Sequence, residues 1–134
     1  MNYLPRNATE QNNDTVWAEG VSGNGVGEWI LIEFTESVQL SGMYIKNGYW
    51  KTTERLTQNG RLKKILVEFS DGGSETHSLT DPGSQNFSTL TQGTGENLAF
   101  STRRVTTFIK ITILEVYSGS RWEDICVTGI RPYR

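Results

Sequence analysis

Residues 104–117 read RVTTFIKITILEVY, the longest β-branched run in the chain. Ile109, Ile111 and Ile113 fall on one face of an extended strand, and Phe108, Leu114 and Val116 fall on the other. The same period of two recurs in GEWILIEFT (27–35), where Ile30, Ile32 and Phe34 alternate with Trp29 and Leu31. It recurs again in VQLSGMYIK (38–46), in RLKKILVEFS (61–70) and in SETHSLT (74–80), with ICVTGI (125–130) closing the series. The residues SDGG after Phe69 predict a hairpin turn. Further short strands are expected at 16–19 and, as QNFSTL, at 85–90. Helical signal is confined to TTERLTQNG (52–60), with Thr53 as cap and Gly60 as stop. About seven or eight short strands joined by closely spaced turns predict an all-β fold, an antiparallel β-sandwich of jelly-roll type.

The chain of 134 residues, with 14 glycines and three prolines, is expected to form one domain over 1–134. Thirteen Lys and Arg against 15 Asp and Glu give a net charge of −2, which argues against a nucleic-acid partner. The single cysteine, Cys126, excludes an intrachain disulfide and a cysteine-rich zinc site. It reads as a buried, inert thiol. The most apolar stretch, 108–116, is interrupted by Lys110, Thr112 and Glu115 and is too short for membrane insertion. The first residues, MNYLPRNATEQNND, carry no apolar run and do not read as a secretory signal.

If consecutive strands run antiparallel, their connections alternate between the two ends of the sandwich. Loops 20–27, 47–60, 81–84 and 117–124 then share one end; 35–37, the 70–73 turn and 91–103 share the other. The first end collects Asn24, Tyr49, Trp50, Lys51, Arg55, Asn59, Tyr117, Arg121, Trp122 and Glu123. Loops on a rigid scaffold are where binding groups concentrate, so this end is the candidate site.

A flat ring stacks on the C–H face of a pyranose while amides, carboxylates and guanidinium groups bond its hydroxyls. Trp50 and Trp122, in polar loops, suit that role, although aromatics also fill cores and loop bases. Trp17 and Trp29 lie in apolar strand patterns and read as core; Tyr49 fits either role. Arg55, Asn59 and Arg61 are candidates for sugar hydroxyls or an anionic sugar's carboxylate, or are solvated loop residues. Glu19 fits a bond to Arg61 or to a ligand. Glu123 and Asp124 are neighbours in an extended segment and so point apart, a poor arrangement for the opposed carboxylates of glycoside hydrolysis. Hydrogen bonding to a sugar or anchoring of the loop suits them better. His77, the one histidine, has no convincing nucleophile partner, and GVSGNGVGEW leads into a strand, not into the helix a phosphate loop needs. The sequons at Asn7 and Asn86 matter only in a eukaryotic secretory setting.

TVWAEG, GNGVGEWI, KNGYWK, NGRLKKILVEFSDG and ITILEVYSGSRWEDICV stand in one order and spacing over roughly residues 14–130. In these the chain resembles the NADase-type glycan-binding domain, a discoidin-like, galactose-binding-domain-like β-sandwich found beside fungal NAD glycohydrolases and as a module in bacterial proteins. The resemblance implies a non-catalytic carbohydrate-binding module, extracellular or at a cell surface and part of a larger protein. Catalysis of NAD cleavage would belong to a separate domain. Modules of the wider class often hold a structural calcium between an N-terminal acidic loop and a glutamate on the last strand. Here the loop reads ATEQNNDT (8–15) and Gly129 stands where that glutamate aligns, so weak or absent calcium binding, and no cofactor, is expected. The first strand usual in this fold is shortened or missing. The resulting expectation is a sugar lying across loops 20–27, 47–60 and 117–124, with Tyr49, Trp50 and Trp122 as platforms and Arg55, Asn59, Arg61 and Glu123 as polar partners. The alternatives are a protein-interaction or adhesion module of the same fold, or an accessory domain of a larger secreted enzyme.

Overall fold

The computed structural model describes residues 25–134 together with the backbone of Trp17–Ala18. The readings of Asn7, the 8–15 loop, Glu19, Asn24 and the Trp17 side chain lie outside the described residues. Among the described residues six strands form one sheet: β1 (Trp17–Ala18), β2 (Trp29–Asn47), β3 (Arg61–Phe69), β4 (Ser74–Ser78), β5 (Glu96–Tyr117) and β6 (Cys126–Tyr133). Their order is β1-β6-β2-β5-β3-β4, with every strand-to-strand pairing antiparallel. Two short helices, α1 (Thr53–Gln58) and α2 (Phe87–Thr91), lie in the connections.

Two features differ from the sequence expectation. The stretches 27–35 and 38–46 belong to one strand, because the chain folds over at 35–41 without a separate turn: β2 stays paired to β5 on both sides of register shifts at Glu33/Val38 and Leu40/Gly42. The segment expected as a strand at 85–90 instead starts α2, since the Asn86 side chain accepts from the Thr89 amide and caps a helical turn. The missing strand is supplied by the first residues of β5, expected to be loop, where Glu96–Ala99 pairs with Ile45–Gly42.

The bends fold the sheet over itself into two layers. One layer holds β3, β4 and the ends of β2 and β5 around Trp29 and Thr112. The other holds β6, β1 and the segments around Ile45 and Leu98. Inward side chains of both form a single cluster that includes Ile30, Met43, Ile45, Ile65, Val67, Ile109, Ile111, Val127 and Ile130. The alternation read from the sequence thus gives the core, with Phe69 edge-on to Phe100 at 4.9 Å between the layers.

The end carrying the hairpin turn is closed by charge. Gly72 takes φ +86 in the turn, and Asp71 Oδ1 accepts from the Gly73 amide at 2.7 Å. Next to it the Glu75 carboxylate accepts from Arg104 Nη2 at 2.9 Å and from the Ser101 hydroxyl at 3.0 Å, and lies 2.7 Å from His77 Nε2. Burial pushes the Glu75 carboxyl upward, but Arg104, His77 and Ser101 together hold it below its ordinary value. A carboxyl depressed in the folded state adds stability above its unfolded pKa and loses it as pH falls through the folded value. Glu75→Gln is therefore expected to cost about 2 kcal/mol at pH 7. The gap to the wild type should close below the ordinary value of 4.5. Denaturant melts of both proteins at pH 7 and at about pH 3 check this.

Candidate functional site

The connection from β2 to β3 begins with Gly48 at φ +95, where a Cβ would fall 2.6 Å from the Leu56 side chain. Asn47 before it mimics a strand neighbour, its amide donating to Leu62 O at 2.7 Å and accepting from Leu62 N at 2.7 Å. The helix α1 follows, capped by Thr52 Oγ1 on the Arg55 amide at 3.1 Å and anchored by buried Leu56. Thr52, not Thr53, is the cap. The helix ends at Asn59, whose backbone is extended.

The 118–125 loop is laced to α1. Ser120 N donates to Thr57 O, and Arg121 N and Trp122 N both donate to Gln58 O. Gly60 N donates to Asp124 O at 2.8 Å and Cys126 N donates to Gly60 O at 3.1 Å. Gly119 permits this approach, since a Cβ there would clash with the Gln58 carbonyl. Backbone bonds thus hold the base of the loop while Trp122 stays 48% exposed, with the Arg121 guanidinium 4.8 Å from its ring centroid.

Between helix and loop lies a cavity of about 230 Å³ lined by Tyr49, Arg55, Gln58, Asn59, Trp122 and Asp124. Arg55, Gln58 and Asn59 face it because residues three and four apart share a helix face. The Arg55 guanidinium lies 5.4 Å from the Tyr49 ring centroid, and Asn59 Nδ2 donates to Arg55 O at 2.9 Å. The structure therefore brings together Tyr49, Arg55, Asn59 and Trp122 from the sequence candidates, and adds Gln58 and Asp124.

Three candidates do not join them. Trp50 is 2% exposed, its Nε1 donating to Asn47 O at 2.7 Å and its amide to Thr128 Oγ1 at 3.0 Å. It is a packed strut and offers no stacking face. Arg61 is buried as well, and its donors are directed inward: Nε to Asp81 Oδ1 at 2.9 Å, Nη1 to the carbonyls of Leu56, Thr57 and Asn59, and Nη2 to Ser118 O. It ties the loops together and has no donor aimed at the cavity. Glu123 is exposed but does not line the cavity; its neighbour Asp124 does. Tyr49, though on the cavity wall, is 1% exposed and packs with Cys126, so it serves as floor. Tyr117 is a strut to Leu79 O at 2.7 Å.

Trp29 departs the other way: expected in the core, it is 52% exposed, with Lys110 Nζ 4.7 Å from its centroid. Two further hollows contrast with the cavity. A larger one of about 430 Å³, bounded by Ser37, Val38, Gln39, Arg103 and Arg134, has no aromatic wall. One of about 50 Å³ beside Trp50, Ile45 and Leu90 holds little more than a water or two. At Gly129, where the resemblance places a calcium ligand, the Lys46 stem packs across the position a Cβ would take, at 3.2 Å. That position offers no carboxylate to a divalent cation and has a lysine stem beside it.

The family model described as NAD glycohydrolase translocation F5/8 type C domain matches residues 1–133. Among solved structures, the Streptococcus pyogenes NAD+-glycohydrolase translocation domain is 19% identical with a TM-score of 0.61, over 88% of this chain and 96% of that one. The family 32 carbohydrate-binding module of C. perfringens NanJ, solved with galactose, is 13% identical with a TM-score of 0.68, over 97% and 84%. Mycobacterial arabinofuranosyltransferase AftD is 17% identical with a TM-score of 0.63 over 96% of this chain, which spans only 9% of that protein. No curated protein matches the sequence. These likenesses give the β-sandwich of the discoidin-like class.

The exchange of roles between the two tryptophans has a direct test. Trp50→Ala is expected to cost about 3–5 kcal/mol, as for other buried large-to-small changes. Trp29→Ala is expected to cost about 1 kcal/mol or less, mostly its contact with Lys110. Urea denaturation of the two variants beside the wild type measures both.

Proposed function

Because the chain belongs to the NAD glycohydrolase translocation F5/8 type C domain family, we propose that it is a non-catalytic module that binds carbohydrate in the cavity between α1 and the 118–125 loop. The observation that carries the reading is the half-exposed Trp122 ring standing beside a small polar cavity on backbone-pinned loops. Trp122 supplies the apolar face for a sugar ring. Arg55, Gln58 and Asn59 supply donors, Asp124 an acceptor, and Tyr49 the floor. At about 230 Å³ the cavity falls below the roughly 300–1,000 Å³ of pockets that enclose drug-sized ligands. That size suits a single terminal sugar unit on an open surface. The solved module with galactose supports the reading by its fold alone.

The arrangement also favours binding over turnover. Among the described residues Asp124 is the one carboxylate on the cavity wall, whereas glycoside hydrolysis needs two, flanking the bond at roughly 5–9 Å. His77 is engaged with Glu75 at the opposite end of the sandwich.

A glycan array probed with the 134-residue chain, followed by titration of the best glycan, tests the proposal. Trp122→Ala is expected to weaken binding at least about tenfold, from lost stacking area and ring-specific attraction. The melting temperature should hardly change, because an exposed loop ring adds little to the core. Absence of any bound glycan, or full affinity in Trp122→Ala, would overturn it.

A further inference from the structure

Among the described residues, the strand segment from Trp29 to Glu33 has a neighbour on one side only. It pairs with β5, while β6, on the other flank of β2, reaches no further than Gly42. Its ladder geometry follows from the bulge that starts it. Gly27, at φ +93, donates to Ile113 O at 2.8 Å, and Ile113 N donates to Glu28 O at 2.9 Å. Antiparallel hydrogen bonding alternates from there, so Ile30 and Ile32 spend their backbone groups on β5, and Trp29, Leu31 and Glu33 turn theirs to the open side. The same residues present their side chains to solvent, Trp29 at 52% and Leu31 at 40% exposure.

Natural edges are usually blunted by lysine, proline or a covering element. Residues 28–36, EWILIEFTE, contain neither lysine nor proline, and their only charges are Glu28, Glu33 and Glu36. The edge thus combines backbone groups turned to the open side, two large apolar side chains and three carboxylates, with Lys110 over the Trp29 ring as the one cation described beside it. Two copies meeting here would set like charges along the shared edge, three carboxylates from each. A basic segment would neutralise them.

We propose that this edge accepts, by antiparallel strand addition, an extended peptide segment of a partner protein that places aliphatic side chains opposite Trp29 and Leu31 and basic ones opposite Glu33 and Glu28. The backbone ladder supplies the attraction, and the apolar and acidic positions supply register. This surface lies apart from the sugar cavity and stands whether or not that cavity binds a glycan.

The probe is the capped heptapeptide TKTVTVK, added to the 134-residue chain and followed by amide hydrogen exchange. Exchange at Trp29, Leu31 and Glu33 is expected to slow by at least about tenfold at saturation, with binding weakened by salt. Methylating the valine amides, which face the domain in this register, should abolish the effect, and methylating the threonine amides should not. Glu33→Lys should weaken TKTVTVK at least about tenfold and leave the melting temperature unchanged. The peptide-side controls hold even if that variant folds poorly. No binding at millimolar peptide, equal binding of the valine-methylated peptide, or protection elsewhere would each overturn the proposal. Protection of the same amides in the free chain that rises with its own concentration would also overturn it, by assigning the edge to a second copy.

Discussion

The guanidinium of Arg61 sits where three connections meet. It reaches Asp81 in the link after β4, the carbonyls of Leu56, Thr57 and Asn59 at the end of α1, and Ser118 at the start of the last loop. A buried cation is tolerated only when its donors are answered, so the loops must converge on it in one arrangement. Arginine does this where lysine would not, because its planar fork fixes several directions at once. The cavity wall is a by-product of that convergence: once α1 and the 118–125 loop are tied, Arg55, Gln58, Asn59, Trp122 and Asp124 surround one hollow.

Much of this was legible in the sequence, and the failures have identifiable causes. The strands at Arg61–Phe69 and Ser74–Ser78, the hairpin turn and the helix at Thr53–Gln58 follow from period, turn residues and capping. The 47–60 and 117–124 loops do meet at one end, although the count that placed them there assumed a reversal at 35–37 and a strand at 85–90. The bent β2 behaves as two segments, and the start of β5 stands in for the missing strand, so the parity survives. Period alone does not say which face of a strand is buried. In WILIEF both faces are apolar, and only the pairing of Ile30 with Ile111 and of Ile32 with Ile109 turns Trp29 outward. Trp50 and Arg61 were misplaced for a related reason. A polar-looking loop becomes interior when another loop folds over it, and that long-range packing leaves no local mark.

The comparisons divide along the same line. At 13–19% identity the sandwich is retained across the solved relatives described above, because alternating apolar strands specify layers without specifying particular side chains. Loop chemistry is free to vary on that frame. The bonds from Trp122 N and Arg121 N to Gln58 O belong to this chain's own loops and decide which groups line the hollow.

The bends in β2 and β5 carry a consequence for how the chain reaches this state. Each strand contributes to both layers, so neither layer is complete until Trp29–Glu33 has found Phe108–Thr112 and Gly42–Ile45 has found Glu96–Ala99. The first of these joins segments from opposite ends of the described chain, and closing so long a loop costs entropy before any contact repays it. A topology built on such distant pairings has high contact order and belongs with the all-β domains that fold in about milliseconds to seconds. Because the layers share continuous strands, they lack the separable boundary along which one could open while the other persists. Loss of structure in the core should therefore be a single cooperative event, with local opening confined to the helical connections outside it.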